Sequence, residues 1–262
     1  MTRNILLLLL FFLMACNVYK KQKYEIIMSQ YSYLTQNPVI TQNGIAFNPD
    51  RSVLYVSLPV DARDYRDRPR VKIFARKWEN GQFSTPALVN FSREWSDYHP
   101  VLSPDGQRMY FNSTRPIPGE TGENRQVHLW YVEKQGEHWS EAKYLSVLNL
   151  EGYHSSYPSV AADGSLYFNS DRPGGQGGMD IWLSKSKNGV FQKPEAVAAL
   201  NSKQVENDLC IDPQGRFFIF NRYIPETNAI DLWVSLKKDD SWQSPVLLKS
   251  INQDSVWELT PY

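Results

Sequence analysis

Tyr157 to Trp182 reads YPSVAADGSLYFNSDRPGGQGGMDIW. It divides into a short strand, a turn on Asp163-Gly164, a second apolar strand, a Gly/Pro loop, and a third strand opening on Asp180-Ile181-Trp182. One copy would be an ordinary hairpin. The same pattern stands on both sides: His99–Phe111 is HPVLSPDGQRMYF, Leu209–Phe220 is LCIDPQGRFFIF, and Ile45–Val56 is IAFNPDRSVLYV. The turn anchors Asp50, Asp105, Asp163 and Gln214 lie 55, 58 and 51 residues apart. A second marker keeps phase with them: Phe83, Trp139, Phe191 and Trp242 each follow a polar or Gly-containing turn, and three have a proline three residues on (Pro86, Pro194, Pro245). Two markers in register over four units indicate repeated supersecondary units that stack on one another.

Within each unit the second strand is apolar on both faces, as in Met109-Tyr110-Phe111, Leu166-Tyr167-Phe168 and Phe217 to Phe220. A half-exposed sheet would alternate, so these runs imply burial on both sides. The third strand carries an aromatic at a fixed place (Phe74, Trp130, Trp182, Trp233), and a short fourth strand follows the later turn, as in Ala87-Leu88-Val89. No stretch sustains a 3.6-residue period, so helices should be few. Four antiparallel strands per unit, covered on both faces, describe the blade of a β-propeller in an all-β chain. The repeats run over about 43–95, 96–153, 154–204 and 205–254, and a partial unit at 255–262 follows because Pro261 aligns with Pro100 and Pro158. Tyr24–Leu34 reads as a strand. With it, residues 24–262 are expected to form five blades, the last incomplete or composite. Joining the two ends of the chain in one blade removes a free sheet edge.

Ser103-Pro104-Asp105-Gly106, Tyr167-Phe168-Asn169-Ser170-Asp171-Arg172-Pro173 and Asp180-Ile181-Trp182 resemble the WD40-like PD40 repeats of TolB-type propellers. The resemblance covers roughly residues 43 to 254. Blade 1 departs from it, with Arg51 in place of Gly, and blade 4 has Gln214 in place of Asp. The resemblance implies an envelope protein that binds protein partners on its faces.

Residues 1–16 read as a lipoprotein signal peptide. Arg3 is the positive start, Ile5 to Met14 is a ten-residue apolar run, and Leu13-Met14-Ala15-Cys16 resembles a lipobox. The run is too short to span a bilayer, which takes roughly 20 residues, and has the length of a signal core. Cys16 is the expected lipidation site, residues 17–23 with Lys20, Lys21 and Lys23 a solvated tether, and the membrane is reached through the lipid anchor alone. The expected location is the bacterial envelope, at an outer membrane facing the periplasm or the cell surface. Cys210 is then left without a disulfide partner. With 28 basic and 28 acidic residues the chain is formally neutral, and nothing suggests nucleic acid as a partner.

The sequence has no GxSxG, HExxH, P-loop or CxxC motif, and neither metal nor cofactor is expected. Gly174 to Gly178 joins two strands instead of opening a helix, so it is not a phosphate loop. Arg115, Arg172, Asp171 and Asp180 recur at blade positions and read as partners of intra-blade ion pairs or turns. Trp130, Trp182 and Trp233 read as packing residues. The candidate site comes from the repeat itself. Asp97, Ser155, Glu206 and Glu258 share one position, and His99, Tyr157, Asp208 and Thr260 share the next but one. Ring symmetry would carry Asp97, His99, Tyr157, Glu206, Asp208 and Glu258 to one mouth of the central channel, as a ligand-binding cluster or as a plain solvated rim. Like charges on such a rim repel, so removing Asp97 and Glu206 is expected to be neutral or mildly stabilising.

The leading expectation is a non-catalytic binding or scaffold lipoprotein whose partner is an envelope protein or glycan. The rival is a glycan-acting enzyme with its carboxylates at the channel mouth, for which Asp97, Glu206 and Glu258 are the candidates. A third is a remnant of a longer propeller.

Overall fold

A computed structural model describes residues 44–249 and 252, apart from residue 65. Every regular element among them is a β-strand, and the strands form four antiparallel blades of a β-propeller. Blade 1 takes its three main strands from Ile45–Phe47, Val53–Arg63 and Pro69–Glu79, and blade 2 from Asp97–Leu102, Arg108–Ser113 and His128–Gln135. Blade 3 uses Ser155–Val160, Leu166–Ser170 and Asp180–Ser184, and blade 4 uses Val205–Ile211, Phe217–Ile224 and Ala229–Lys238. A two-residue outer strand closes each one: Ala87–Leu88, Lys143–Tyr144, Glu195–Ala196 and Val246–Leu247. The fifth blade expected from Tyr24–Leu34 and Val256–Tyr262 lies outside the described residues.

The Asp-Gly turns connect first strands to second ones by local hydrogen bonding. Asp105 accepts the Gln107 N–H at 3.0 Å and Asp163 the Ser165 N–H at 2.8 Å, which is how an aspartate mimics a backbone turn. Gly106 takes a φ of 68°, and a Cβ there would lie 2.7 Å from the Pro49 ring of blade 1. Arg51 holds the equivalent turn of blade 1 at φ 61° without a glycine. In blade 4 Asp212 takes over from the missing aspartate, accepting the Arg216 N–H at 3.0 Å.

The phase-locked aromatics are the stacking device. The second-strand tyrosine of one blade meets the aromatic marker of the next: Tyr55 with Trp139 at 5.9 Å, Tyr110 with Phe191 at 5.9 Å, and Tyr167 with Trp242 at 6.4 Å, all edge-on. Phe111, Phe168, Phe218 and Phe220 are fully buried, as the apolar second strands require. A polar clamp repeats beneath them. Asn149, Asn201 and Asn252 each bond both the N–H and the C=O of the residue before the third-strand tryptophan (Leu129, Ile181 and Leu232). Ser92 bonds the corresponding Ile73 N–H in blade 1 at 3.1 Å. These bonds satisfy third-strand N–H groups that the short outer strands leave unpaired, while the carbonyls of the same residues also accept a backbone N–H from Val89, Leu145, Val197 or Leu248.

Candidate functional site

The inner strands of blades 2, 3 and 4 each break register against the second strand, between Tyr98 and Val101, Ser156 and Ser159, and Asn207 and Cys210. Each break contains one residue in the left-handed region: His99 at φ 53°, Tyr157 at 52° and Asp208 at 48°. A left-handed conformation costs a non-glycine residue about 1–2 kcal/mol. It also turns the side chain out of the ordinary strand alternation.

The three side chains meet. His99 Nε2 lies 3.6 Å from Asp208 Oδ1, and the His99 and Tyr157 rings pack edge-on with centroids 4.6 Å apart. Tyr98 stands edge-on to His99 at 6.2 Å. Asn221 Nδ2 donates to Asp208 Oδ2 at 2.6 Å, and the Tyr157 N–H donates to Asn112 Oδ1 of the preceding blade at 3.1 Å. Asn169 Nδ2 bonds the Glu206 carbonyl of the following blade at 2.6 Å. His99 and Asp208 are only 3% and 7% exposed. Burial, then the negative charge of Asp208 and the nearby Tyr98, push the Tyr157 phenol well above its usual range, so it stays neutral. The cluster therefore offers an imidazole that forms an ion pair when protonated, a neutral phenol and a carboxylate, supplied by three consecutive blades.

The other row of candidates is not brought to this point. Asp97 and Glu206 are wholly buried inside their own blades. Asp97 Oδ1 accepts from Arg115 at 2.7 Å and from Ser113 Oγ at 2.6 Å. Glu206 Oε1 accepts from Arg222 at 2.8 Å and from Ser202 Oγ at 2.5 Å. Burial raises the Glu206 carboxyl, opposed by Ser202 and Arg222. Ser155, at the same position in blade 3, accepts from Arg172 at 2.9 Å. Each arginine lies over two rings of its own blade: Arg115 over Phe111 and Trp130, Arg172 over Phe168 and Trp182, and Arg222 over Phe220 and Trp233. The tryptophans are thus packing residues, and the arginines their covers. A carboxylate row facing solvent was the expectation. Arginines reaching back along the strand pair bury it instead. Glu258 and Cys16 lie outside the described residues.

Arg222 and the Asn112, Asn169 and Asn221 series were missed in the sequence. A usable signal was there, because the pair Phe-Asn recurs at Phe111-Asn112, Phe168-Asn169 and Phe220-Asn221. Gly174–Gly178 is a strand connection, as read: a Cβ at Gly177 would lie 2.1 Å from the carbonyl of Gln204, the residue that leads into blade 4. Among the described residues, no group of three or more His, Cys, Asp or Glu side chains is placed to hold a metal ion.

Neither protein-family models nor curated proteins gave a match to this chain. Solved structures did. A protein described as TolB from Agrobacterium tumefaciens aligns at a TM-score of 0.54 with 18% identity, over 78% of this chain and 64% of that one. TolB from Acinetobacter baumannii aligns at 0.49 with 13% identity, over 79% and 46%. A puromycin-hydrolysing peptidase of Mycobacterium tuberculosis aligns at 0.49 with 15% identity, over 76% and 28%. The chain thus spans about half to two thirds of the length of the TolB structures it matches. The resemblance read from the PD40 motifs holds at the level of the fold: the described residues have the fold of a TolB-type β-propeller.

Proposed function

We propose that this chain is a lipid-anchored binding module of the bacterial envelope that engages a protein or glycan at the centre of its propeller through His99, Tyr157 and Asp208. The observation that carries the reading is their convergence in left-handed conformations. A bulge needed only for geometry is served best by glycine. Three blades instead place three different polar or aromatic side chains there, and strained backbone of this kind gathers at functional sites. The anchor at Cys16 and the envelope location rest on the lipobox-like ending of the signal segment.

A glycan-cleaving site is less well supported. It needs two free carboxylates roughly 5–10 Å apart, and Asp97 and Glu206 are each held by a largely buried arginine. The test is capture of solubilised envelope material on the immobilised protein, comparing wild type with the His99→Gln/Asp208→Asn double variant. The expected result is a component retained by the wild type and lost from a double variant that still melts cooperatively. Equal retention by both would refute the central site.

A further inference from the structure

The connection from second to third strand differs among the blades, and in blade 2 it leaves a cleft of about 330 Å³. In blade 3 the loop 171–179 folds back on the residue that opens the third strand. There the Gln176 and Gly177 N–H groups donate to the Asp180 carboxylate at 3.0 to 3.1 Å. The longer loop 114–127 of blade 2 is held away from the corresponding residue, His128. Its Asn124 N–H bonds the Thr114 carbonyl at 2.7 Å, and Glu123 is fixed by Arg70 of blade 1 at 2.9 and 3.0 Å and by the Thr114 hydroxyl at 2.7 Å.

His128 is only 1% exposed, and it lines this cleft. Neither of its ring nitrogens has a hydrogen-bond partner of good geometry, and the backbone of Tyr153 makes a weak contact with the ring. A buried polar group left unsatisfied costs about 1–3 kcal/mol and calls for an explanation. Burial, reinforced by the neighbouring His154, keeps the ring neutral, with its pKa lowered to about 4. A neutral imidazole presents one donor and one acceptor. A hydroxyl complements either nitrogen, whereas an ammonium group complements only the acceptor and a carboxylate only the donor. The rest of the lining is mostly polar, with Arg125 a donor, Thr121 both donor and acceptor, and Ile117 the one aliphatic side chain. Glu120 and Glu151 accept, and Asn124 and Gln126 do both.

We propose that this cleft binds a single sugar unit, one hydroxyl reaching His128 and its neighbours donating to Glu120 and Glu151. Its volume sits at the small end of the range of about 300–1,000 Å³ typical of ligand pockets. The site is separate from the His99 cluster and does not rest on the function assigned to it.

The test follows the His128 ring resonances of the full chain by NMR. The probes are glucose, galactose, mannose and N-acetylglucosamine in turn, with methylammonium as the cationic control. The expected result is a saturable shift of the His128 signals with at least one sugar. A Glu120→Gln/Glu151→Gln variant, altered only at two exposed positions, should weaken that binding about tenfold, the loss of roughly one hydrogen bond to a charged group. The proposal is overturned if no sugar moves the His128 signals, if methylammonium alone does, or if the double variant binds as tightly as the wild type.

Discussion

Arg222 does in blade 4 what Arg115 does in blade 2, from a different place in the chain. Arg115 follows Phe111 at the end of Phe-Asn-Ser-Thr-Arg, whereas Arg222 closes the shorter Phe220-Asn221-Arg222. Both guanidinium groups lie 5.2 to 5.4 Å from their second-strand phenylalanine, and both reach a fully buried carboxylate, Asp97 at 2.7 Å and Glu206 at 2.8 Å. The blade fixes the position of the charge, and the chain reaches it by whichever residue is near.

That relationship reverses the expectation for removing these carboxylates. Asp97→Ala and Glu206→Ala should each destabilise the protein by about 3–5 kcal/mol, because each leaves a largely buried arginine uncompensated. Ser155→Ala, which removes only a neutral acceptor from Arg172, should cost about 1 kcal/mol. Urea unfolding of the three variants checks the order, and a neutral Asp97→Ala would contradict it.

The same residues show what could be read from sequence. The blades were legible because the turn anchors, the second-strand apolar runs and the tryptophans recur in phase, and recurrence is a property of sequence. The meeting of His99, Tyr157 and Asp208 was legible for the same reason: equivalent positions on a ring converge. The burial of Asp97 and Glu206 was not. Two positions apart on a regular strand face the same side, but the bulge at His99 and Asp208 breaks that rule, and no residue type announces a bulge. Arg222 escaped notice because its spacing differs from that of Arg115 and Arg172, although its place in the blade does not.

Trp182 is 6% exposed, with Arg172 stacked over its ring at 5.3 Å and its Nε1–H donating to the Ser170 carbonyl at 3.3 Å. Trp182→Ala should therefore cost about 3–5 kcal/mol. The half-buried Trp233 should cost less. Equal, small losses at both would mean that these rings do not pack the blades.

Acid should weaken the fold through His128. Its folded pKa of about 4 lies below the unfolded value of about 6.5, so the unfolded chain takes up the proton first as pH falls. The contribution is complete above pH 6.5 and is lost progressively toward pH 4, to a total of at most about 3 kcal/mol. His154 and Tyr144 face the ring, and Glu151 lies across the cleft. Comparison with His128→Phe separates the contribution of His128 from theirs. Urea midpoints at pH 7.5 and 5 should fall more in the wild type than in the variant, and parallel curves would refute the assignment.

Lipidation at Cys16 is tested by metabolic labelling with a fatty-acid probe. Cys16→Ser should carry no label and should leave the membrane fraction or remain uncleaved. Equal labelling of wild type and variant would remove the anchor from the account.

The central claim is that the physiological partner engages the propeller where His99, Tyr157 and Asp208 meet. Site-specific photo-crosslinking in intact cells tests it most directly, with benzoylphenylalanine placed at Tyr157 and, separately, at the exposed Val190 on the rim of blade 3. The account predicts an adduct with an envelope component from position 157, reduced when Asp208→Asn is added, and none from position 190. Adducts from position 190 alone would contradict it.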